Sequence, residues 1–221
     1  MNAVPRETAG GAPPPPSEAR EFFGDRLGLV QRYVDLLAGT AIERGLLGPR
    51  EVGRLWDRHV LNCGVIHEVI PQGAEVADIG SGAGLPGIVL ALHRPDLTMT
   101  LVEPMLRRSA FLDEAVEALG LPNTVVVRAR VEELRGRMDF DVATARAVAP
   151  LRKLVRWTMP VLRPGGMLVA VKGESAMEDV EAAAGELRRE PVDWWDVRSL
   201  GAGVVRPPTR VVVVARKATA E

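Results

Sequence analysis

Asp78-Ile79-Gly80-Ser81-Gly82-Ala83-Gly84-Leu85-Pro86-Gly87 decides how the rest of this chain is read. An apolar run, Val76–Ile79, ends in a cluster of glycines that permit a tight turn and close backbone approach. Pro86 suits the first turn of a following helix, where a missing N–H costs nothing. A strand that feeds a helix through such a turn leaves room for a nucleotide-like ligand at its open end. Glu103 closes the next apolar run, nineteen residues after Gly84, where a carboxylate can accept hydrogen bonds from a ribose diol. The glycines have two registers. Gly82, Gly84 and Gly87 satisfy G-x-G-x-x-G, the dinucleotide fingerprint. One glycine earlier, the pattern is Asp78-x-Gly80-x-Gly82-x-Gly84.

On either side of this turn, short apolar runs alternate with helical spacing. Strands are expected at Val76–Ile79, Met99–Val102, Thr124–Val127, Asp141–Ala145, Leu168–Val171, Asp193–Val197 and Val211–Val214. Helices are expected near Ile88–His93, Arg107–Leu119 and Leu151–Leu162, with a short turn at Glu132–Leu134. Such alternation predicts a parallel sheet covered on both faces. Gly201, Gly203 and Pro207–Pro208 separate the last two strands without a crossover helix, which predicts an antiparallel pair at the sheet edge.

Upstream, the spacing is helical throughout. Phe23, Leu27, Val30, Val34 and Leu37 mark one helix. A second, after Pro49, carries Val52, Leu55, Trp56, Val60, Cys63 and Val65 and stops at Pro71. Residues 1–19, with the run Pro13–Pro16, are expected to be an extended, mobile tail. The division is therefore a tail at 1–19, a helical cap at 20–71 and a catalytic domain at 72–221.

At 221 residues, 47% hydrophobic and 26% charged, the chain can bury a core and is neither disordered nor fibrous. One cysteine excludes a disulfide framework and a cysteine-based zinc knuckle. Apolar runs such as Val211–Ala215 are far shorter than the ~20 residues that span a bilayer. With no cationic-then-apolar leader, the expectation is a soluble cytoplasmic monomer that binds neither membrane nor metal. A net charge of −1 advertises no overall nucleic-acid field, so any basic patch must be local. Arginine far outnumbers lysine, which occurs only at Lys153, Lys172 and Lys217; a GC-rich genome accounts for that bias.

The Asp78-x-Gly80-x-Gly82-x-Gly84 register resembles motif I of the S-adenosylmethionine-dependent methyltransferases, which hold an adenosine without a pyrophosphate. The glycines alone leave the two ligands nearly even. Leu162-Arg163-Pro164-Gly165-Gly166, running into Met167–Lys172, resembles the Pro-Gly-Gly turn before the fifth methyltransferase strand, and the terminal strand pair suits that fold's edge. The combination favours a class I S-adenosylmethionine-dependent methyltransferase: a Rossmann-like α/β fold of seven strands, five parallel and then an antiparallel edge pair, under an N-terminal helical cap.

Methyl transfer is an in-line displacement in which alignment does most of the work. Carbon-5 of a pyrimidine usually needs a cysteine nucleophile, but Cys63 lies on a cap helix and reads as a core residue. The Asn/Asp-Pro-Pro-aromatic motif used on exocyclic amines is absent after the fourth strand, where Thr144–Pro150 stands instead. No His and carboxylate cluster offers the metal that catechol-type oxygens want. What remains is an acceptor that is already nucleophilic and has no proton to lose; guanine N7, with its in-plane lone pair, is such an atom and needs no acid or base residue.

In order along the chain, further segments resemble the bacterial 16S rRNA guanine-N7 methyltransferases, called RsmG or GidB. They are Leu55–Leu61 with its Arg58-His59 pair, Val76–Gly87 closing on Gly-Leu-Pro-Gly, Arg130-Val131-Glu132-Glu133, Ala145-Arg146-Ala147 and Val171-Lys172-Gly173. The likeness covers roughly Phe22 to Lys217. It implies a cofactor site built from Gly80, Leu85, Val131, Glu132 and Arg146, joined by Gly82 and Glu103 on analogy with the fold. It also implies methylation of guanine 527 of 16S rRNA, as free RNA or in the small subunit. The chain departs from the family at Ala38-Gly39-Thr40, often Asn-Leu-Thr, and at Asn62-Cys63, often Asp-Ser.

Each residue also has a plainer reading. Arg146 is expected either to position cofactor and base or merely to tie Asp78 or Glu103. Glu132 either accepts the adenine amino group or braces its loop. Arg50, Arg54 and Arg58 recur at i, i+4 and i+8, a stripe as ordinary on a solvated face as on an RNA-binding one. Arg58, with its motif match, together with His59 and Lys172, forms the expected RNA contact set; His59 can equally be a satisfied core histidine. Arg107–Arg108, Arg152, Lys153 and Arg156 flank the mouth as phosphate candidates. Trp194 and Trp195 read as core and surface packing. Two other functions fit the same fold: a small-molecule methyltransferase with little need of Arg58 or Lys172, and a non-catalytic RNA-binding assembly factor.

Overall fold

Each of the seven apolar runs folds as a strand in the computed structural model, which describes residues 11–218. They are β1 (Glu75–Ile79), β2 (Thr98–Val102), β3 (Thr124–Val127), β4 (Phe140–Arg146), β5 (Leu162–Lys172), β6 (Val192–Leu200) and β7 (Thr209–Arg216). Their order across the sheet is β3-β2-β1-β4-β5-β7-β6. The first five run parallel, and β7 is antiparallel to both β5 and β6, as the sequence predicts. β5 starts six residues earlier than expected. Phe140 pairs with Leu162 and Val142 with Met167, so the Pro164-Gly165-Gly166 turn is a wide bulge inside the strand.

Helices cover both faces. Ahead of the sheet lie α1 (Ser17–Phe23), α2 (Leu27–Leu36) and α3 (Asn62–Gly64); α4 (Gly87–His93) follows β1, α5 (Leu106–Leu119) follows β2 and α6 (Leu151–Thr158) follows β4. α7 (Ala176–Ala182) and α8 (Ala184–Arg189) fill the β5–β6 connection and were not anticipated. Their buried faces rest largely on Ala176, Ala183, Val180 and Leu187, and small alanines leave no apolar stripe to read.

The cap departs from the expectation in two ways. α1 begins at Ser17 rather than Arg20, and the segment before it is not loose: the Pro13 carbonyl accepts a hydrogen bond from Trp56 Nε1 (2.9 Å) and Ala12 packs on the core. The first ten residues of the expected tail lie outside the described residues. The second cap helix changes pitch three times, from 3-10 over Pro49–Arg54 to π over Leu55–Leu61, through α3, to 3-10 over Val65–Val69. A 3-10 segment turns every three residues, so Arg50 and Arg54 do not share the stripe that an α-helix would give them.

Along β1, Val76 belongs to one apolar cluster and Ala77 to another, the alternation expected of a strand covered on both faces. The first cluster is continuous with the cap through Phe23, Val30, Val34, Leu37 and Val60. At this junction Phe22 stacks on His93 (ring centroids 4.4 Å apart), and His67 meets the same ring edge-on at 4.7 Å. Burial, His67 and Arg94 push the pKa of His93 down to about 4. Between that value and the ordinary 6.5 the unfolded chain binds more protons, so this contribution to stability is present at neutral pH and lost on acidification. Unfolding free energies from urea titrations are expected to fall further between pH 7 and pH 5 for the native chain than for His93→Phe, by about 1 kcal/mol after allowing for solvent screening.

Candidate active site

The strand order reverses between β1 and β4, and at such a point the carboxyl ends of the strands leave a crevice. The structure brings the expected residues to this edge: the glycine turn after β1, Glu103 after β2, Val131 and Glu132 after β3, Arg146 ending β4 and Lys172 ending β5.

The backbone of the glycine turn answers which ligand it suits. Gly80 and Ser81 donate N–H bonds to the Val102 carbonyl (2.8 and 3.2 Å), and Gly84 and Leu85 donate to that of Ser81 (2.7 and 3.2 Å). Gly82 N–H donates to Glu103 Oε2 (3.0 Å) and Gly87 N–H to Asp78 Oδ2 (3.0 Å). A pyrophosphate needs free N–H groups at a helix start. Here those groups are engaged, and the Asp78 carboxylate already sits against the first residue of α4, with Pro86 as its cap. Asp78 also accepts from Thr144 Oγ1 (3.1 Å). Burial pushes its pKa up to about 6, which leaves it largely ionised at neutral pH. This geometry repels a diphosphate and suits a nucleoside that carries none.

The remaining features fit such a nucleoside. Glu103 is buried, its two carboxylate oxygens accepting from Gly82 and Met105 N–H (3.0 Å each), and each keeps a further lone pair for a ribose. Gly80 and Gly82 adopt positive φ, and a Cβ on Gly80 would lie 2.8 Å from Val148 Cγ2, so the β4–α6 loop rests on the turn. That loop is strained: Ala147 has φ +55°, rare for a residue with a side chain. Leu85 and Val131 are buried apolar walls, whereas Glu132 is an exposed carboxylate beside a loop that Glu133 braces by accepting the Arg130 N–H (2.9 Å).

Arg146 does not tie Asp78 or Glu103 by a hydrogen bond. Its guanidinium reaches across to the cap, donating through Nη2 to His59 Nδ1 (2.6 Å) and through Nη1 to Cys63 Sγ (3.0 Å). His59 Nε2 in turn meets Glu51 Oε2 at 2.6 Å. With 5% exposure and both ring nitrogens engaged inside the protein, His59 fits the core-histidine alternative rather than the RNA contact. Burial raises the Cys63 thiol above its ordinary pKa. Tyr33, the only tyrosine, was missed; its buried hydroxyl donates to the Ala83 carbonyl (2.7 Å) and pins the glycine turn to α2. A lone phenol between the core positions Val30 and Val34 was the available signal, because a buried hydroxyl requires a partner.

On the other side of β4 lies a groove of about 540 Å³ between the cap and the β6–β7 hairpin. Its walls carry Arg54, Arg58, Lys172, Arg206 and Arg210 against only two carboxylates, Asp57 and Glu174. Lys172 is shielded and pairs with Asp179 at 3.4 Å; Arg58 stays exposed, 3.9 Å from Glu51. Arg206 and Arg210 were not anticipated, although they flank the Pro207–Pro208 turn in the sequence. Arg50 lies outside the groove, and Arg107, Arg152, Lys153 and Arg156 are exposed elsewhere. Trp194 and Trp195, at 43% and 42% exposure, are not core residues: both sit on the edge strand β6, where Arg198 lies 5.7 Å from the Trp194 ring. Among the described residues no cluster of three or more His, Cys, Asp or Glu is placed to hold a metal ion, and no helix is long and apolar enough to cross a membrane.

Comparison with known proteins places this geometry in context. Residues 26–203 match the family model described as rRNA small subunit methyltransferase G. The chain is 54% identical to Ribosomal RNA small subunit methyltransferase G of Thermobifida fusca over 90% of its own length and 84% of the relative's. It is 53% identical to the protein of that name from Mycolicibacterium gilvum, over 91% and 89% respectively. Among solved structures it resembles a SAM-dependent O-methyltransferase of Thermotoga maritima (TM-score 0.54, 15% identity, 71% of this chain and 64% of that one). It also resembles M. jannaschii TYW2 in complex with AdoMet (TM-score 0.50, 19% identity, 69% and 75%). At such identities the structural likeness speaks for the fold alone.

Proposed function

The chain belongs to the rRNA small subunit methyltransferase G family, and from that premise we propose that it transfers a methyl group from S-adenosylmethionine to N7 of guanine 527 in 16S rRNA. The observation that carries the cofactor assignment is the closed amide pattern of the glycine turn, with Asp78 where a diphosphate would have to sit. When bound, the cofactor supplies a methyl group activated by its sulfonium for in-line displacement. Gly80, Gly82 and Glu103 hold the nucleoside, Leu85 and Val131 wall it, and Glu132 offers an acceptor for the adenine amino group. Arg146, which ends β4 at the carboxyl edge of the sheet, positions cofactor and target base.

The groove supports RNA as the acceptor. Five cations facing two carboxylates suit a phosphate backbone, which such contacts position without reading its sequence. An apolar small molecule would find little to contact there. No residue is assigned proton transfer, because N7 accepts the methyl through an in-plane lone pair and loses no proton. We read the chain as a cap that grips RNA, beginning at Ser17, and a sheet that holds the cofactor, working as a monomer.

The experiment that tests this is incubation with methyl-labelled cofactor and small subunits lacking the modification, followed by cleavage mapping at N7-methylguanine. The expected result is label on a single guanine, at position 527. Label on an amine, or spread over many guanines, overturns the substrate; cofactor-independent RNA binding without turnover identifies an assembly factor instead.

A further inference from the structure

The chain of contacts from Arg146 into the cap has a direction that chemistry imposes. A guanidinium has only donors, so His59 Nδ1, 2.6 Å from Arg146 Nη2, must be a bare acceptor. The ring proton then lies on Nε2, where it donates to Glu51 Oε2 at 2.6 Å. We propose that His59, as the neutral tautomer protonated on Nε2, is a positioning residue that aims Arg146 across the mouth between cofactor and groove. Glu51 sets the tautomer from one side of the ring and Arg146 reads it from the other. The inference rests on the reading that Arg146 works at the methyl-transfer site, and it adds the device that holds it there.

The surroundings admit this form and resist the other. His59 is buried and faces Glu51 from the 3-10 segment, Arg58 from its own π segment and Arg146 from β4. Around Arg146 stand Cys63 of α3, Tyr33 of α2 and Asp78 of β1, while Arg54 acts on Glu51. Burial, then the Arg146 charge, lowers the His59 pKa, and Glu51 opposes them. A second proton would have to enter at Nδ1, against the guanidinium, and would replace an acceptor by a donor. Protonation therefore releases Arg146. Cys63 Sγ, a weak acceptor, does not hold the guanidinium alone.

Two measurements test the arrangement. Long-range proton–nitrogen NMR correlations of the imidazoles in the free protein are expected to show His59 protonated on Nε2 at pH 7.5, its signals identified by their loss in His59→Asn. A proton on Nδ1 overturns the proposal, whatever the enzyme's substrate. Calorimetric titration with S-adenosylhomocysteine compares the native chain with His59→Asn, whose side-chain oxygen falls near Nδ1 and keeps an acceptor for Arg146, and with His59→Phe, which keeps none. His59→Asn is expected to bind within about threefold of native at pH 7.5, and His59→Phe about tenfold more weakly, the loss of one charge-assisted hydrogen bond. Equal weakening of the two variants overturns the proposal and leaves a packing role. A native chain that binds no S-adenosylhomocysteine overturns the cofactor reading instead, and the tautomer spectrum then judges the histidine by itself.

Discussion

Gly87→Ala is expected to weaken S-adenosylhomocysteine binding severely and to lower the thermal midpoint of the chain. α4 begins here in direct contact with β1 and β2. A Cβ at this position would run into Leu101 Cδ2 and lie 2.7 Å from Asp78 Oδ2 and 2.9 Å from Asp78 Cβ. Neither neighbour can yield cheaply: Leu101 is a fully buried strand residue, and Asp78 is held by Gly87 N–H and Thr144 Oγ1. Overpacking of this kind costs about 1–3 kcal/mol. The larger effect is on the ligand, because moving α4 moves the whole turn from Gly80 to Gly87. Affinity is expected to fall at least about a hundredfold, roughly 2.7 kcal/mol. Differential scanning calorimetry with and without ligand separates the two effects. An unchanged midpoint with native affinity would mean that the helix and the turn are not coupled as described.

Reversing the groove gives the opposite signature. Arg58→Glu with Arg210→Glu replaces two lining cations of the groove by carboxylates. Each lost phosphate contact takes about one unit from the slope of log affinity against log salt, and introduced repulsion deepens the loss. Binding to an unmodified 16S rRNA fragment at near-physiological salt is expected to weaken about a hundredfold or more, with a shallower salt dependence. S-adenosylhomocysteine affinity is expected to stay native, since neither residue reaches the glycine turn. Filter binding across a salt series, paired with calorimetry on the same variant, reads both. Undiminished RNA affinity would move the RNA interface elsewhere, and Arg107, Arg152, Lys153 and Arg156 are the next cations to reverse.

The inner strands of the sheet were legible because they are buried on both faces and so appear as apolar runs between glycine and proline punctuation. Val211–Val214 is the plainest case. The helices α7 and α8 escaped because alanines bury without standing out. Within the described part of the tail, proline composition says nothing of a partner, and the Trp56 indole supplies one at Pro13. The pattern of the glycine turn showed that a nucleoside site exists, but two registers fitted it. The Pro164-Gly165-Gly166 turn and the terminal strand pair separated them in the sequence; the backbone hydrogen bonds to Asp78 and Glu103, which the structure adds, carry no letter there. Arg146 was found by position and motif, whereas its partners were not: His59 and Cys63 lie more than eighty residues away along the chain, and only folding brings them to the guanidinium. For the same reason the sequence left His59 open between an RNA contact and a satisfied core histidine, and its burial and partners favour the second.

Parallel calorimetric titration of the native chain with S-adenosylhomocysteine and with NADH tests the central claim most directly. The account predicts one S-adenosylhomocysteine bound per chain and no heat from the dinucleotide, because Asp78 and the engaged amides exclude its diphosphate. Saturable NADH binding to a chain indifferent to S-adenosylhomocysteine would contradict it.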